Sequence, residues 1–267
     1  MTPTEVRQLL VELDLRPSKA LGQNFLIDGN VLEIIAREAD VRSQETILEI
    51  GPGLGALTVK LADRADKVIA IEKDGRLANF IRQRYPEVEL IHGDACKVEL
   101  PACDKVVANL PYSISTAILE RFVEGAAPPR RLVLTVQKEV ALRLAARPRH
   151  KDYGALTLFT QLRYHVTVVH VVSPRCFIPA PNVESAIVAL DRREPRVLLA
   201  PGAPFHQLVR QGFQQRRKML RKLLGIADEV LDGVGAVPTA RAEELSLEQW
   251  IGVANALRES TPADGAQ

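Results

Sequence analysis

Thr46-Ile47-Leu48-Glu49-Ile50-Gly51-Pro52-Gly53-Leu54-Gly55-Ala56-Leu57-Thr58 joins a short apolar run to a glycine-rich turn and the start of a helical pattern. The run is strand-like. The glycines let the backbone approach a ligand without a Cβ in the way, and a helix start offers unpaired N–H groups. Such a turn binds nucleotide-like cofactors. Gly51, Gly53 and Ala56 also satisfy the looser G-x-G-x-x-A pattern of nicotinamide enzymes, so this stretch alone leaves the cofactor open.

Working outward, Glu72 stands at the end of the next apolar run, Val68-Ile69-Ala70-Ile71, where an acidic residue could accept from both ribose hydroxyls. Asp94, in His92-Gly93-Asp94-Ala95, follows Val88-Glu89-Leu90-Ile91 and could accept from the adenine amine of the same cofactor. A fourth run, Val106-Val107-Ala108, leads into Asn109-Leu110-Pro111-Tyr112. Here a side-chain amide stands beside a backbone carbonyl held by the fixed φ of Pro111, and an aromatic ring follows. The set suits an exocyclic amino group on a flat base. Two acceptors on the two amine hydrogens would draw the nitrogen toward tetrahedral geometry and free its lone pair, while Tyr112 could stack on a base that has left its helix or loop. Taken alone, the same residues could form an Asx-type turn with Tyr112 on the core. S-adenosylmethionine accounts for all four motifs together. Against a dinucleotide, Gly55 crowds the turn, Pro52 sits within it, and a dehydrogenase has no use for a base-holding Asn109-Leu110-Pro111-Tyr112.

The alternation of apolar runs and helical patterns from Ile47 to Val136 predicts a doubly wound parallel sheet with helices on both faces. A ligand belongs at the carboxyl ends of such strands, where Glu72, Asp94 and Asn109 fall. Tyr164–Val172 and Val183–Leu190 read as an antiparallel pair closing the sheet. Asp191–Pro204 carries three prolines and a glycine, and helical patterns follow to about Glu259. The predicted fold is α/β: a Rossmann-like class I S-adenosylmethionine methyltransferase core over residues 1–191, a linker over 192–204 and a small all-α C-terminal domain over 205–267.

These residues resemble the ribosomal RNA adenine N6,N6-dimethyltransferases, the KsgA-like family that also includes relatives giving macrolide resistance. The resemblance begins at Lys19-Ala20-Leu21-Gly22-Gln23-Asn24-Phe25-Leu26 and runs through Gly51, Glu72, Asp94 and Asn109 in order. It continues in Gln137-Lys138-Glu139-Val140, Lys151-Asp152-Tyr153-Gly154 and Phe177-Ile178-Pro179-Ala180-Pro181-Asn182-Val183-Glu184-Ser185-Ala186, and ends in Phe213-Gln214-Gln215-Arg216-Arg217-Lys218-Met219-Leu220. The resemblance implies that Asn24 and Leu26 close over the methionine end of S-adenosylmethionine, with Gly51 and Gly53 in backbone contact, Glu72 on the ribose and Asp94 on the adenine. It implies that Asn109 serves both cofactor and target, beside Leu110, Pro111 and Tyr112, and that Phe177 is an aromatic near the target base. The implied product is two methyls on each of two neighbouring adenines near the 3′ end of small-subunit (16S) rRNA, made during subunit assembly by direct transfer without a metal or covalent intermediate. A DNA adenine methyltransferase, a large-subunit rRNA methyltransferase and a non-catalytic assembly factor are the rivals. The short segment after the linker leaves little room for a DNA-recognition domain.

Composition agrees: 267 residues, 46% hydrophobic and 25% charged, suit a chain with a sizeable core. No run approaches a membrane-spanning length, and Met1–Leu13 lacks the apolar core of a signal peptide. Cys96, Cys103 and Cys176 are scattered without a C-x-x-C, which fits reduced thiols in the cytoplasm and argues against structural zinc. The expected state is a cytoplasmic monomer with no membrane and no metal. Net charge is only +2, but seven basic residues against Glu139 alone fill Arg130–Lys151, and six against none fill His206–Leu224. Arg143 and Arg147 in the first stretch, and Arg216, Arg217, Lys218, Arg221 and Lys222 in the second, are the candidate RNA contacts. Val209, Phe213, Leu220 and Leu224 recur at helical spacing, which predicts one packed face with Lys218 and Lys222 turned away.

Overall fold

Ile47, Leu48, Glu49 and Ile50 are all buried, the pattern of a parallel strand covered on both faces rather than the alternation of a half-exposed one. The computed structural model describes residues 1–18, 21–194 and 197–259. In chain order the elements are α1 (Pro3–Glu12), β1 (Phe25–Leu26), α2 (Gly29–Ala39), β2 (Thr46–Ile50), α3 (Thr58–Ala62), β3 (Lys67–Glu72), α4 (Gly75–Arg84), β4 (Glu89–His92), β5 (Lys105–Asn109) and α5 (Ser115–Glu124). Then come β6 (Arg131–Gln137), α6 (Lys138–Leu144), α7 (Ala155–Arg163), β7 (Tyr164–Val172), β8 (Phe177–Ile178), β9 (Ser185–Arg192), α8 (Phe205–Gln214), α9 (Leu220–Leu224), α10 (Asp228–Gly233) and α11 (Leu247–Glu259).

Seven strands form one sheet in the order β4-β3-β2-β5-β6-β9-β7. β2 to β6 pair in parallel, and β9 runs antiparallel to β6. The chain leaves β2 on one side for β3 and β4, then crosses to the other for β5 and β6. That reversal opens a crevice at the carboxyl ends of β2 and β5. Helices start where the sequence supplies acceptors. The Asp28 carboxylate takes the N–H groups of Asn30 and Val31 at the head of α2, and Asp74 takes that of Arg76 at the head of α4. α2 lays Val31, Leu32 and Ile35 against Ile47, Val107 and Val133, so the strands carrying the crevice are backed by close-packed aliphatics.

Two compact units are present, Met1–Ala141 with His165–Arg192, and Leu142–Tyr164 with the described residues from Arg193 onward. The sequence boundary at residue 191 therefore needs correction, because residues 142–164 belong with the helical unit. There Tyr153, Leu158, Phe159 and Leu162 join Phe205, Val209, Leu220 and Trp250 in one core. An amphipathic helix reads the same whichever core it covers, so α7 gave no sign of its unit. Within the expected linker, Pro195 and Arg196 lie outside the described residues. Asn255 of α11 pins the remainder, accepting from the Ala200 N–H and donating to the Leu198 carbonyl. The helical spacing across His206–Leu224 covers two helices, since α8 stops at Gln214 and Lys218 sits in the turn before α9. Leu220 donates its N–H to Ala240 at 2.8 Å, which redirects the chain there.

Candidate active site

Gly51, Gly53 and Gly55 all take left-handed backbone angles, with φ of +69°, +58° and +81°. At Gly53 the requirement is double, because an added Cβ would also lie 3.2 Å from the Phe25 ring. The turn is tied to the strands beside it. Gly51 donates to the Ile71 carbonyl at 2.9 Å, and Gly53 donates to Glu72 Oε2 at 3.2 Å. The other Glu72 oxygen accepts the Asp74 N–H at 2.9 Å, so one buried carboxyl fixes both the turn and the start of α4. Burial pushes the Glu72 carboxyl above its ordinary range, against the backbone N–H bonds that favour its ionised form. Asp94 accepts the Cys96 N–H at 3.0 Å and pairs with Lys73 Nζ at 2.9 Å, and the Lys73 bond holds its carboxyl below the usual range.

Asn109 ends β5. Its Nδ2 donates to the Asn24 carbonyl at 3.1 Å. A carbonyl only accepts, so the amide nitrogen must face Asn24 and Oδ1 remains the acceptor end. Asn24 donates to the Gly22 carbonyl at 3.2 Å, and a Cβ on Gly22 would stand 3.2 Å from Pro111 Cβ. The N-terminal motif thus packs directly on Pro111; Lys19 and Ala20 of that motif lie outside the described residues. β1 and β8 form a two-stranded antiparallel ribbon with Leu26 opposite Phe177. That pairing brings together two distant sequence motifs.

Every cofactor and target candidate expected on this unit lines one cavity of about 330 Å³, from Asn24, Leu26, Gly51 and Gly53 through Glu72 and Asp94 to Asn109–Tyr112 and Phe177. Glu49 lines it too, a residue that sequence reasoning passed over. It is fully buried, and its Oε2 has no partner among the described residues. Burial pushes the Glu49 carboxyl up to about 8, against the neighbouring Thr58 hydroxyl, which favours the ionised form, and with Glu72 acting in the same direction as burial. The available signal was an acid inside the apolar run Thr46–Ile50. A buried carboxyl oxygen without a partner and a second acid at the end of the adjacent strand give the cavity hydrogen-bonding groups that suit a ligand bearing ribose hydroxyls and an amine, such as S-adenosylmethionine. Among the described residues, no group of three or more His, Cys, Asp or Glu side chains could hold a metal ion.

The basic candidates separate in the helical unit. Arg216 pairs with Glu243 at 2.8 Å and donates to the carbonyls of Lys151 and Tyr153, and Arg221 Nη1 donates to both carboxylate oxygens of Asp228. These two guanidiniums have internal partners, a distinction within the stretch that charge alone does not show. Arg217, Lys218 and Lys222 are exposed and line a second cavity of about 690 Å³ with Arg241, which the sequence did not single out. Only Glu244 opposes them there. Arg143 and Arg147 are exposed.

A family model described as "Ribosomal RNA adenine dimethylase" matches residues 15–259. The chain is 42% identical over 264 residues to "Ribosomal RNA small subunit methyltransferase A" of Geobacter metallireducens, covering 91% of this chain and 96% of that one. Among solved structures, a dimethyladenosine transferase from Plasmodium falciparum superposes with a TM-score of 0.80 at 27% identity, over 88% of this chain and 98% of that one. The 23S rRNA methyltransferase ErmE gives a TM-score of 0.70 at 31% identity, over 88% and 100%.

Proposed function

The chain belongs to the ribosomal RNA adenine dimethylase family, and from that premise we infer that it transfers methyl groups from S-adenosylmethionine to N6 of adenines in small-subunit (16S) rRNA, dimethylating two adjacent adenines near the 3′ end during subunit assembly. The observation that carries the reading is the fixed orientation of Asn109, whose nitrogen is held by the Asn24 carbonyl and whose oxygen is left as the acceptor.

S-adenosylmethionine supplies a methyl already activated on a positively charged sulfur. Asn24, Leu26, Gly51, Gly53, Glu72 and Asp94 bind it, with Glu72 on the ribose and Asp94 on the adenine. In the first transfer Asn109 Oδ1 and the Leu110 carbonyl would accept the two hydrogens of the target amine, which localises the nitrogen lone pair; one hydrogen remains for the second transfer, and one of the two acceptors would hold it. Pro111 holds the Leu110 carbonyl in direction, while Tyr112 and Phe177 stack on the base. The residues contribute alignment and electrostatic preorganisation; as the nitrogen gains the methyl and the methyl–sulfur bond breaks, the target amine becomes a substituted ammonium acidic enough to release its proton to solvent, so no strong base is required. Arg217, Lys218 and Lys222, with Arg143 and Arg147, contact rRNA phosphates. Arg216 and Arg221 shape the helical unit that presents them. The protein works as a cytoplasmic monomer on the small ribosomal subunit; no described helix is long and apolar enough to cross a membrane.

The test is transfer of labelled methyl from S-adenosylmethionine to unmodified small subunits, large subunits, naked rRNA and duplex DNA in parallel, followed by nucleoside analysis. Dimethyladenosine appearing with small subunits is the expected result. Label in large-subunit RNA or DNA would reassign the substrate, and no label anywhere would overturn the enzymatic reading.

A further inference from the structure

Ser185 is fully buried at the first position of β9, ahead of the apolar run Ala186, Ile187, Val188, Ala189 and Leu190. A hydroxyl in such a place is unfavourable unless it is hydrogen-bonded. Its Oγ lies 2.6 Å from the Tyr112 hydroxyl, a short and well-formed bond. Tyr112 lines the cavity with its side chain half-buried, whereas Ser185 is not among the lining residues. At the other end of the same residue, the buried Ser115 donates from Oγ to the Tyr112 carbonyl at 3.0 Å. Tyr112 is therefore held both at its backbone and at the tip of its ring.

A phenylalanine would offer the same stacking face without that second anchor, and aromatic χ2 wells are broad. The hydroxyl bond therefore adds orientation rather than stacking area. β9 is joined through β6 to β5, whose last residue is Asn109, so one sheet sets both the ring and the amide acceptor. We propose that Ser185 is a positioning residue for methyl transfer, fixing the Tyr112 ring in the attitude that receives the target base. The inference rests on the methyltransferase reading above. A ring aligned in advance removes its ordering from the reactive step.

Four proteins test this: wild type, Ser185→Ala, Tyr112→Phe and the double variant, assayed on unmodified small subunits with cofactor affinity measured separately. Each single variant should lose about tenfold in kcat, roughly the effect of one aligning hydrogen bond. KM for the subunit and affinity for S-adenosylmethionine should stay near wild type. The double variant should lose no more than either single. Ser185→Ala leaves the Tyr112 hydroxyl unpaired and should lower Tm, and the double variant, which removes both partners, should regain most of that loss. A kcat that recovers together with Tm in the double variant would make the bond structural only and overturn the assignment. So would two losses that multiply. A wild-type protein that transfers no methyl overturns the underlying reading, and this assignment with it, before any variant is compared.

Discussion

Asn109 donates its side-chain amide to the backbone carbonyl of Asn24 at 3.1 Å, joining the end of β5 to a segment 85 residues earlier. Because the partner is a backbone group, replacing the Asn24 side chain leaves the bond available, whereas replacing Asn109 removes both the bond and the acceptor it orients. Asn109→Ala should fold and keep much of its cofactor affinity while losing roughly two or more orders of magnitude in kcat. Asn109→Asp keeps an acceptor but sets a carboxylate against the Asn24 carbonyl, and should not restore the rate. Steady-state kinetics on small subunits, with circular dichroism as the folding control, decide this; a near-normal rate in Asn109→Ala removes the residue from the mechanism.

The basic segment should divide by partner rather than by charge. Arg216 satisfies Glu243 and the carbonyls of Lys151 and Tyr153, so Arg216→Ala removes several partly exposed bonds and should lower stability by about 1 kcal/mol. Lys218 is exposed in the second cavity, so Lys218→Ala should leave Tm unchanged. Its effect should appear as weaker subunit binding, with the slope of log K against log salt reduced by about 1. Equal Tm losses in the two variants would contradict this division.

What could be read from the sequence follows from what each signal depends on. Glu72, Asp94 and Asn109 were placed at strand ends because strand, turn and terminal residue are contiguous, and parallel pairing then brings such ends together. Tyr164–Val172 and Val183–Leu190 were read as neighbouring strands, and β7 and β9 do lie side by side at the edge of the sheet, but the antiparallel pairing of β9 with β6 joins distant segments and had no local signal. Residues 142–164 were assigned to the wrong unit because local amphipathicity states that a face is buried and not against what. The Leu26 pairing with Phe177 and the Ser185 bond to Tyr112 join residues far apart in the chain, and no local pattern announces such contacts. Charge runs show density but not pairing, so Arg216 and Lys218 looked alike until their partners were seen.

Gly55 and Gly225 both lie in the left-handed region, at φ +81° and +66°, but their surroundings differ. A Cβ on Gly55 would stand 2.3 Å from Tyr85 Cε2, while a Cβ on Gly225 meets nothing within 4 Å. Gly225→Ala should therefore show the backbone penalty alone, about 1 kcal/mol. Gly55→Ala should add the displacement of Tyr85 and shift the turn against the cavity, with a larger fall in Tm and weaker binding of S-adenosylmethionine. Thermal melts of the two variants compare them directly, and equal losses would mean that Tyr85 yields without consequence.

Glu49 gives a pH prediction with a definite sign. Its ordinary carboxyl value is 4.5, and in the folded protein burial pushes it up to about 8. Between those values the native state holds a proton that the unfolded chain has released, so stability falls as pH rises through the window and levels off above it. Glu49→Gln keeps the shape of the protonated carboxyl and cannot ionise, so it should lose this contribution. Urea unfolding of the cofactor-free proteins from pH 5 to pH 9 should show the wild-type midpoint falling relative to the variant, by an amount worth a few kcal/mol at the upper end. The raised carboxyl of Glu72 is present in both proteins, so the difference reports Glu49 together with its coupling to Glu72. Midpoints that run parallel across the range would show that Glu49 finds a partner or water in solution, and the buried, orphaned Oε2 would no longer mark the wall of the cofactor cavity.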